Sequence, residues 1–166
     1  MIKVYTDGSC QVSSGVGGIG IYFENEKKEI VQYSQKYEKT TNNRMELLAV
    51  IKAFSYMNNP DQQYTILTDS QYVYKGITVW IHAWKQNNWQ KKSNQTMIAN
   101  VDLWKQLDRL VLENKHVQFD WVKAHKGNHG NEMADSLAKQ AMLLSDDNNN
   151  ETIWKNTKQI LESVIC

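Results

Sequence analysis

Two short runs in this chain, Ile2-Lys3-Val4-Tyr5-Thr6 and Tyr64-Thr65-Ile66-Leu67-Thr68, each lead into an aspartate, and an amphipathic helical pattern lies between them. No other feature restricts the fold as strongly. Ile2, Val4 and Thr6 alternate with Lys3, Tyr5 and Asp7, the period of two that marks a β-strand. The first run is apolar around its middle, as a central strand covered on both faces is. Strand, helix and strand in that order imply a right-handed crossover with the strands parallel. Asp7 and Asp69 then fall at the same edge of neighbouring or near-neighbouring strands, where open α/β sheets place their ligands. Asp7-Gly8-Ser9 is also ordinary turn chemistry, so the meaning of Asp7 depends on whether other carboxylates converge on it.

The intervening chain fills in the frame. Residues 15–23 form a glycine-rich turn entering a second strand; without a GxGxxG that opens a helix, these are hairpin glycines rather than a phosphate cradle. Residues 30–37 alternate like a third strand, giving an antiparallel meander. Asn43 as N-cap with Glu46 at the third helical position predicts a capping box. Leu47, Val50, Ile51, Phe54 and Met57 make the stripe that lays this helix on a sheet, and Asn58-Asn59-Pro60 stops it. After Asp69 a helix over 70–80, capped by Asp69 or Ser70, continues through residue 84. From Gln71 to Val101 there is no Asp or Glu, while Lys75, Lys85, Lys91 and Lys92 interleave with Trp80, Trp84 and Trp89. Val101, Trp104, Leu107 (or Leu103), Leu110 and Val111 mark another amphipathic helix, and residues 115–122 a fifth strand. A polar loop over 123–131 leads into a helix with Ala134, Leu137, Ala138 and Ala141 on its apolar side and Asp135 beside them.

At 166 residues, with 41% hydrophobic and 22% charged residues, the chain is long enough for one domain with a sizeable core. We place that domain at 1–144, followed over 145–166 by a polar linker and an amphipathic helical tail, with Ile153, Thr157, Ile160, Leu161 and Val164 on one side, expected to dock back. The formal net charge is +1, so affinity for nucleic acid must come from local charge. Cys10 and Cys166 show no metal-ligand spacing, which favours a reducing, cytoplasmic setting over a disulfide framework. No apolar run approaches about 18 residues, and the N-terminus starts in a strand with no room for a signal peptide. A monomer that engages no membrane is expected.

The acids at element ends are Asp7, Glu46, Asp69 and Asp135. Singly, each has a structural explanation: turn, capping box, N-cap and helix surface. Jointly they sit in four ordered motifs: Tyr5-Thr6-Asp7-Gly8-Ser9, Thr41-Asn42-Asn43-Arg44-Met45-Glu46-Leu47, Thr68-Asp69-Ser70-Gln71-Tyr72-Val73, and Val122-Lys123-Ala124-His125 with Asn131-Glu132-Met133-Ala134-Asp135-Ser136-Leu137-Ala138. Over residues 1–142 this pattern closely resembles ribonuclease H of type 1, which degrades the RNA strand of RNA–DNA hybrids. The resemblance implies a five-stranded mixed sheet, three antiparallel strands then two parallel, flanked by helices, in agreement with the order read above. It places the metal-binding carboxylates at Asp7, Glu46, Asp69 and Asp135, a mobile-loop histidine at His125, and a further acid near the metal at Glu132.

The residues themselves support that chemistry. Ionised carboxylates about 5 Å apart at an effective dielectric near 20 repel by roughly 3 kcal/mol per pair. Such a cluster needs a cation, and all-oxygen ligands suit Mg²⁺ or Mn²⁺. Two ions about 4 Å apart can activate water and stabilise the leaving oxygen of an in-line displacement. Asp7 is expected to bridge them, with His125 shuttling a proton or aiding product release; the resemblance implies products with a 5′-phosphate and a 3′-hydroxyl. As a residue, His125 is also compatible with a plain surface loop.

By the same resemblance Gly8, Ser9, Cys10, Asn42, Asn43 and Gln71 read the minor groove and the 2′-hydroxyl. Thr41 meets a phosphate of the DNA strand and Asn43 is similarly placed. Residues 80–94 match a basic protrusion, with Trp80, Trp84, Lys85, Lys91 and Lys92 facing the DNA strand. Core packing is the competing role for the tryptophans, favoured for Trp104 and Trp121 and open for Trp80, Trp84 and Trp89. Residues 11–15 lack the proline-containing turn common in bacterial members, and Asn87, Asn88, Asn94 and Gln95 dilute the protrusion's charge; no separate N-terminal hybrid-binding domain is expected. The alternatives are a resolvase- or integrase-like nuclease of the same superfamily, a reverse-transcriptase fragment, and an inactive hybrid-binding module.

Overall fold

The computed structural model describes residues 1–124 and 127–144, with the backbone of Glu151–Lys155. The meander forms as expected: β1 (Ile2–Gln11), β2 (Val16–Glu24) and β3 (Ile30–Tyr37) pair antiparallel. β4 (Tyr64–Thr68) runs parallel to β1, and β5 (Val117–Trp121) parallel to β4. The five anticipated strands are joined by a sixth, β6 (Glu151–Lys155), antiparallel on the open edge of β3, giving the order β5-β4-β1-β2-β3-β6. Over these five residues the helical tail is therefore corrected to a strand. Thr152, Ile153 and Trp154 favour extended backbone, and β3 offers an unpaired row of backbone groups for them to meet. Residues 145–150 and 156–166, which carry the rest of the linker and tail, lie outside the described residues.

Helices cover both faces. On one, α1 (Asn42–Phe54) packs on β1 and β2, with α4 (Val101–Glu113) against it. Leu47, Val50, Ile51, Phe54 and Met57 are all buried there, with Trp104 and Leu107. Each apolar side chain so buried contributes roughly 1.5–3 kcal/mol, against about 1 kcal/mol for a cap. Packing therefore fixes α1, and capping only selects its first residue. That residue differs from expectation. Thr41 is the N-cap, its hydroxyl accepting from the Arg44 amide at 3.2 Å, so Glu46 lies beyond the first turn and takes no part in a capping box. On the opposite face α5 (His129–Ala141) lies on β1, β2 and β3, packing Ala134 and Leu137 against Tyr5 and Tyr22. Between β4 and α4 the chain turns through α2 (Gln71–Lys75), a wider turn over Gly76–Trp80 and α3 (Ile81–Gln86). No helix among the described residues is long and apolar enough to cross a membrane.

Candidate metal centre and nucleic-acid interface

β1 does not stop at Asp7; it pairs with β2 as far as Gln11, opposite Val16. Its parallel partner stops first, because the β1–β4 register ends at Thr6 and Thr68. One residue further on, Asp7 and Asp69 stand side by side where β4 has given way to α2. The two structural explanations for these acids fall away. Asp7 is inside a strand rather than a turn, and Ser70, not Asp69, caps α2 by accepting from the Val73 amide at 3.2 Å.

Glu46 arrives from α1. A Cβ on Gly8 would collide with the Met45 carbonyl and the Glu46 amide nitrogen, so only glycine at this place lets the α1 backbone lie on β1. The result is a cluster in which carboxylate oxygens of Asp7, Glu46 and Asp69 all lie within 4.8 Å of one another. Asp7 is 4% exposed. Burial first, then the charge of Asp69, pushes its carboxyl from 3.8 up to about 8. Burial followed by the Asp7 charge likewise holds Glu46 well above the usual carboxylate range. Glu46 Oε2 is buried and has no hydrogen-bond partner.

Asp135 is next to this group rather than in it. It contributes to the rise at Asp7, yet its Oδ2 pairs with Lys139 of its own helix at 3.0 Å. The helix-surface explanation thus survives for Asp135 beside the functional one. His125 lies outside the described residues, and Glu132 is exposed in the first turn of α5.

Two donors that sequence reasoning did not single out converge on Asp69. Asn131 of α5, 1% exposed, donates from Nδ2 to Asp69 Oδ2 at 3.2 Å. Trp121 donates from its indole nitrogen to the Asp69 carbonyl at 3.2 Å. Trp121 is 39% exposed, which corrects its expected role in core packing. A buried asparagine near a helix start carries no periodic signal by which to find it.

The expected groove residues line up beside the cluster. Cys10, Thr41, Asn42 and Asn43, with Val12, Thr40 and Asn100, enclose a recess of about 540 Å³. Asn42 Oδ1 accepts from the Cys10 amide at 2.7 Å, tying β1 to the start of α1. Asn100 is held by Arg44, which also grips Asp102 with both terminal nitrogens, and by Tyr72. Gly8 and Ser9 continue β1 past Asp7, and Gln71 is the exposed first residue of α2. In the protrusion, Trp84 and Trp89 pack partly buried against the core and Trp80 is 37% exposed, its ring centroid 5.9 Å from that of Trp84 and tilted by 48°. Lys91 and Lys92 are exposed on the wall of a recess with Trp84 and Ile98, whereas Lys85 is paired with Asp108 at 3.3 Å.

Residues 1–143 match the family model described as RNase H. A ribonuclease H of Orientia tsutsugamushi (strain Boryong) is 42% identical over 165 residues, covering 97% of this chain and 92% of the relative. One from Proteus mirabilis (strain HI4320) is 44% identical over 140 residues, covering 84% and 86%. Among solved structures, LC9-RNase H1, described as a type 1 RNase H with the type 2 active-site motif, superposes with a TM-score of 0.72 at 34% identity over 85% of this chain and 71% of that one. A foamy viral protease-reverse transcriptase in complex with double-stranded DNA gives a TM-score of 0.72 at 26% identity over 84% and 92%.

Proposed function

The chain belongs to the RNase H family, and from that premise we infer that it cleaves the RNA strand of RNA–DNA hybrids at the cluster of Asp7, Glu46 and Asp69, with Asp135 completing the site. The carrying observation is the cluster itself: carboxylate oxygens of Asp7, Glu46 and Asp69 within 4.8 Å of one another, with Asp7 pushed up to about 8 by burial and by the charge of Asp69.

The donor set fits divalent metal. It is all oxygen, as Mg²⁺ and Mn²⁺ prefer, and Glu46 Oε2 is a buried acceptor with nothing to accept from. Bound there, two such ions supply an activated water and charge stabilisation for the leaving 3′-oxygen, so that the products carry a 5′-phosphate and a 3′-hydroxyl. Asp7, Glu46, Asp69 and Asp135 would hold the ions, with Asp7 central to the set because Asp69 and Asp135 both raise it and it interacts with Glu46. His125 is assigned the proton at product release.

Substrate choice follows from the surface next to the cluster. Gly8, Ser9 and Cys10 on β1, Asn42 and Asn43 on α1 and Gln71 on α2 present backbone and amide groups suited to the 2′-hydroxyls of a wide minor groove. Thr41, at the mouth of the recess, takes a DNA-strand phosphate, and Trp80, Trp84, Lys91 and Lys92 take the strand beyond it. Lys85 is the weakest of the proposed contacts because Asp108 already neutralises it.

The test is one incubation series of labelled RNA, DNA and hybrid duplexes, each with Mg²⁺, Mn²⁺ or chelator. Cleavage confined to the RNA of the hybrid and abolished by chelator is expected. Cutting of duplex DNA instead would transfer the assignment to a resolvase-like activity, and tight hybrid binding without cutting would make the chain a binding module.

A further inference from the structure

Asp69 is held from both ends of the connection between β5 and α5. Trp121, the last residue of β5, donates to its carbonyl at 3.2 Å, and the adjoining Val122 amide donates to the Thr68 carbonyl at 2.9 Å. At the other end, Asn131 donates to Asp69 Oδ2 at 3.2 Å. Asn131 is itself fixed, with its amide donating to the capping side chain of Asn128 at 3.0 Å and its side chain 1% exposed in the first turns of α5.

Asp69 could not keep a fixed aim without such help. It lies just past the end of β4, where no ladder hydrogen bond orients it, and it is only half-buried. Its neighbours Asp7 and Glu46 repel it. A carboxylate with one oxygen accepting from a buried amide has a defined rotamer, and an Asp69 carboxylate oxygen lies within 4.8 Å of those of Asp7 and Glu46. A carboxamide is suited to this work because its nitrogen only donates and stays neutral at every pH at which the protein folds. A lysine in the same place would neutralise charge needed for a cation.

We propose that Asn131 is a positioning residue for Asp69, orienting its carboxylate toward the metal and thereby linking the β5–α5 connection to the metal centre. The inference rests on the metal reading above. Outer partners of ligating carboxylates commonly change metal affinity or activity by about 10–100-fold when removed, so the tether is expected to act on metal binding and turnover rather than on hybrid binding.

The test compares wild-type protein and Asn131→Ala by Mg²⁺ titration calorimetry without nucleic acid, and by hybrid cleavage over a range of Mg²⁺. The variant is expected to bind Mg²⁺ about 10-fold or more weakly, with a matching fall in kcat at low Mg²⁺. Excess Mg²⁺ should recover turnover, and KM for the hybrid should stay within about twofold, since Asn131 is far too buried to touch substrate. A folded variant with wild-type Mg²⁺ affinity would overturn the proposal, as a mere packing role predicts that result with a lower melting temperature. Should the variant fail to fold, the wild-type protein still decides: the side-chain amide signals of Asn131 must shift in step with Mg²⁺ saturation, and signals that stay put while the site fills would refute the tether. If wild-type protein binds Mg²⁺ but leaves hybrids intact, the nuclease reading fails while the calorimetry still judges Asn131.

Discussion

Asp7 and Gly20 face each other across the β1–β2 ladder, and the glycine is what allows α5 to approach the acid. A Cβ on Gly20 would collide with the Ala134 carbonyl oxygen and stand 2.6 Å from the Ala138 nitrogen and 2.7 Å from the Leu137 Cβ. Backbone cannot yield as a flexible side chain can. Gly20→Ala should therefore cost about 1–3 kcal/mol, lowering the melting temperature by roughly 2–4 °C per kcal/mol, and should displace Asp135 from Asp7. An unchanged melting curve would show that α5 does not rest on β2 at this point.

Asp7→Asn should abolish hybrid cleavage and, in chelator at pH 9, raise the melting temperature. At that pH the Asp7 carboxyl, pushed up to about 8, has lost its proton in the wild-type protein, and an ionised pair about 5 Å apart repels by roughly 3 kcal/mol at a dielectric near 20. Asparagine keeps the shape and removes the charge. If the variant melts lower than wild type under these conditions, Asp7 is a structural acid whose charge the fold requires.

A pH dependence accompanies that repulsion. With metal chelated, Asp7 titrates at about 8 in the folded protein, against 3.8 as its ordinary value. Between the two, the folded state holds a proton that the unfolded state has released, so stability falls as pH rises. The contribution is complete below about pH 4 and gone above about pH 8, and the elevated Glu46 acts in the same direction. Asp102, lowered by Arg44, has the opposite sign, but its contribution is lost only as pH falls below its ordinary value of 3.8, outside this window. Urea midpoints in chelator should decline from pH 5 to pH 9, less steeply in Asp7→Asn, and saturating Mg²⁺ should abolish the decline. A flat chelator series would mean the carboxylates do not share a buried site.

The short apolar runs of β1 and β4 and the five-residue stripe of α1 made the sheet and its main helix readable, because central strands are buried along most of their length and a helix lying on a sheet is buried along one stripe. What failed to show was decided by partners distant in sequence. Thr40-Thr41-Asn42-Asn43 offers capping side chains in succession, and Thr41 caps because Asn42 is drawn to the Cys10 amide on β1. Asp7 looked like a strand end because only one of the two neighbours of β1 stops there. Trp121 has the composition of core, but its indole is partly exposed and donates to the Asp69 carbonyl. Asp7, Glu46 and Asp69 were legible as a set through the ordered motifs that carry them, although Asp7 lies inside a strand and Glu46 beyond the first turn of its helix. Their donors, Asn131 and Trp121, obey no such rule.

The protrusion separates lysines that are free to meet phosphate from one that is not. Lys91 and Lys92 are exposed on a turn closed by the Lys91 amide donating to Thr96 at 2.7 Å, while Lys85 is paired with Asp108. Each phosphate contact contributes about 0.7–0.9 to the slope of log affinity against log salt. Lys91→Ala with Lys92→Ala should flatten that slope by about 1.4–1.8 and weaken hybrid binding, leaving turnover at saturation near wild type. Lys85→Ala should move it far less. Equal slopes in wild type and the double variant would remove the protrusion from the binding account.

The last prediction concerns the sheet edge. β6 pairs with β3 from Glu151 opposite Gln35 to Lys155 opposite Val31, and without it β3 becomes an unpaired edge. Neighbouring β3 residues Val31 and Tyr33 are buried at 3% and 1% exposure, so the strand is firmly seated in the core and would keep its shape while losing its outer partner. Truncation after Leu144 should then leave a folded enzyme that melts a few degrees lower, at roughly 2–4 °C per kcal/mol lost, and associates at high concentration through the exposed strand. Cleavage should persist, because the cluster is built from β1, α1 and the residue just after β4, away from that edge. Light scattering and melting curves of the truncated and full chains decide it: identical melting would mean that β6 adds nothing to stability, and loss of cleavage in a folded truncation would place the tail in the active site.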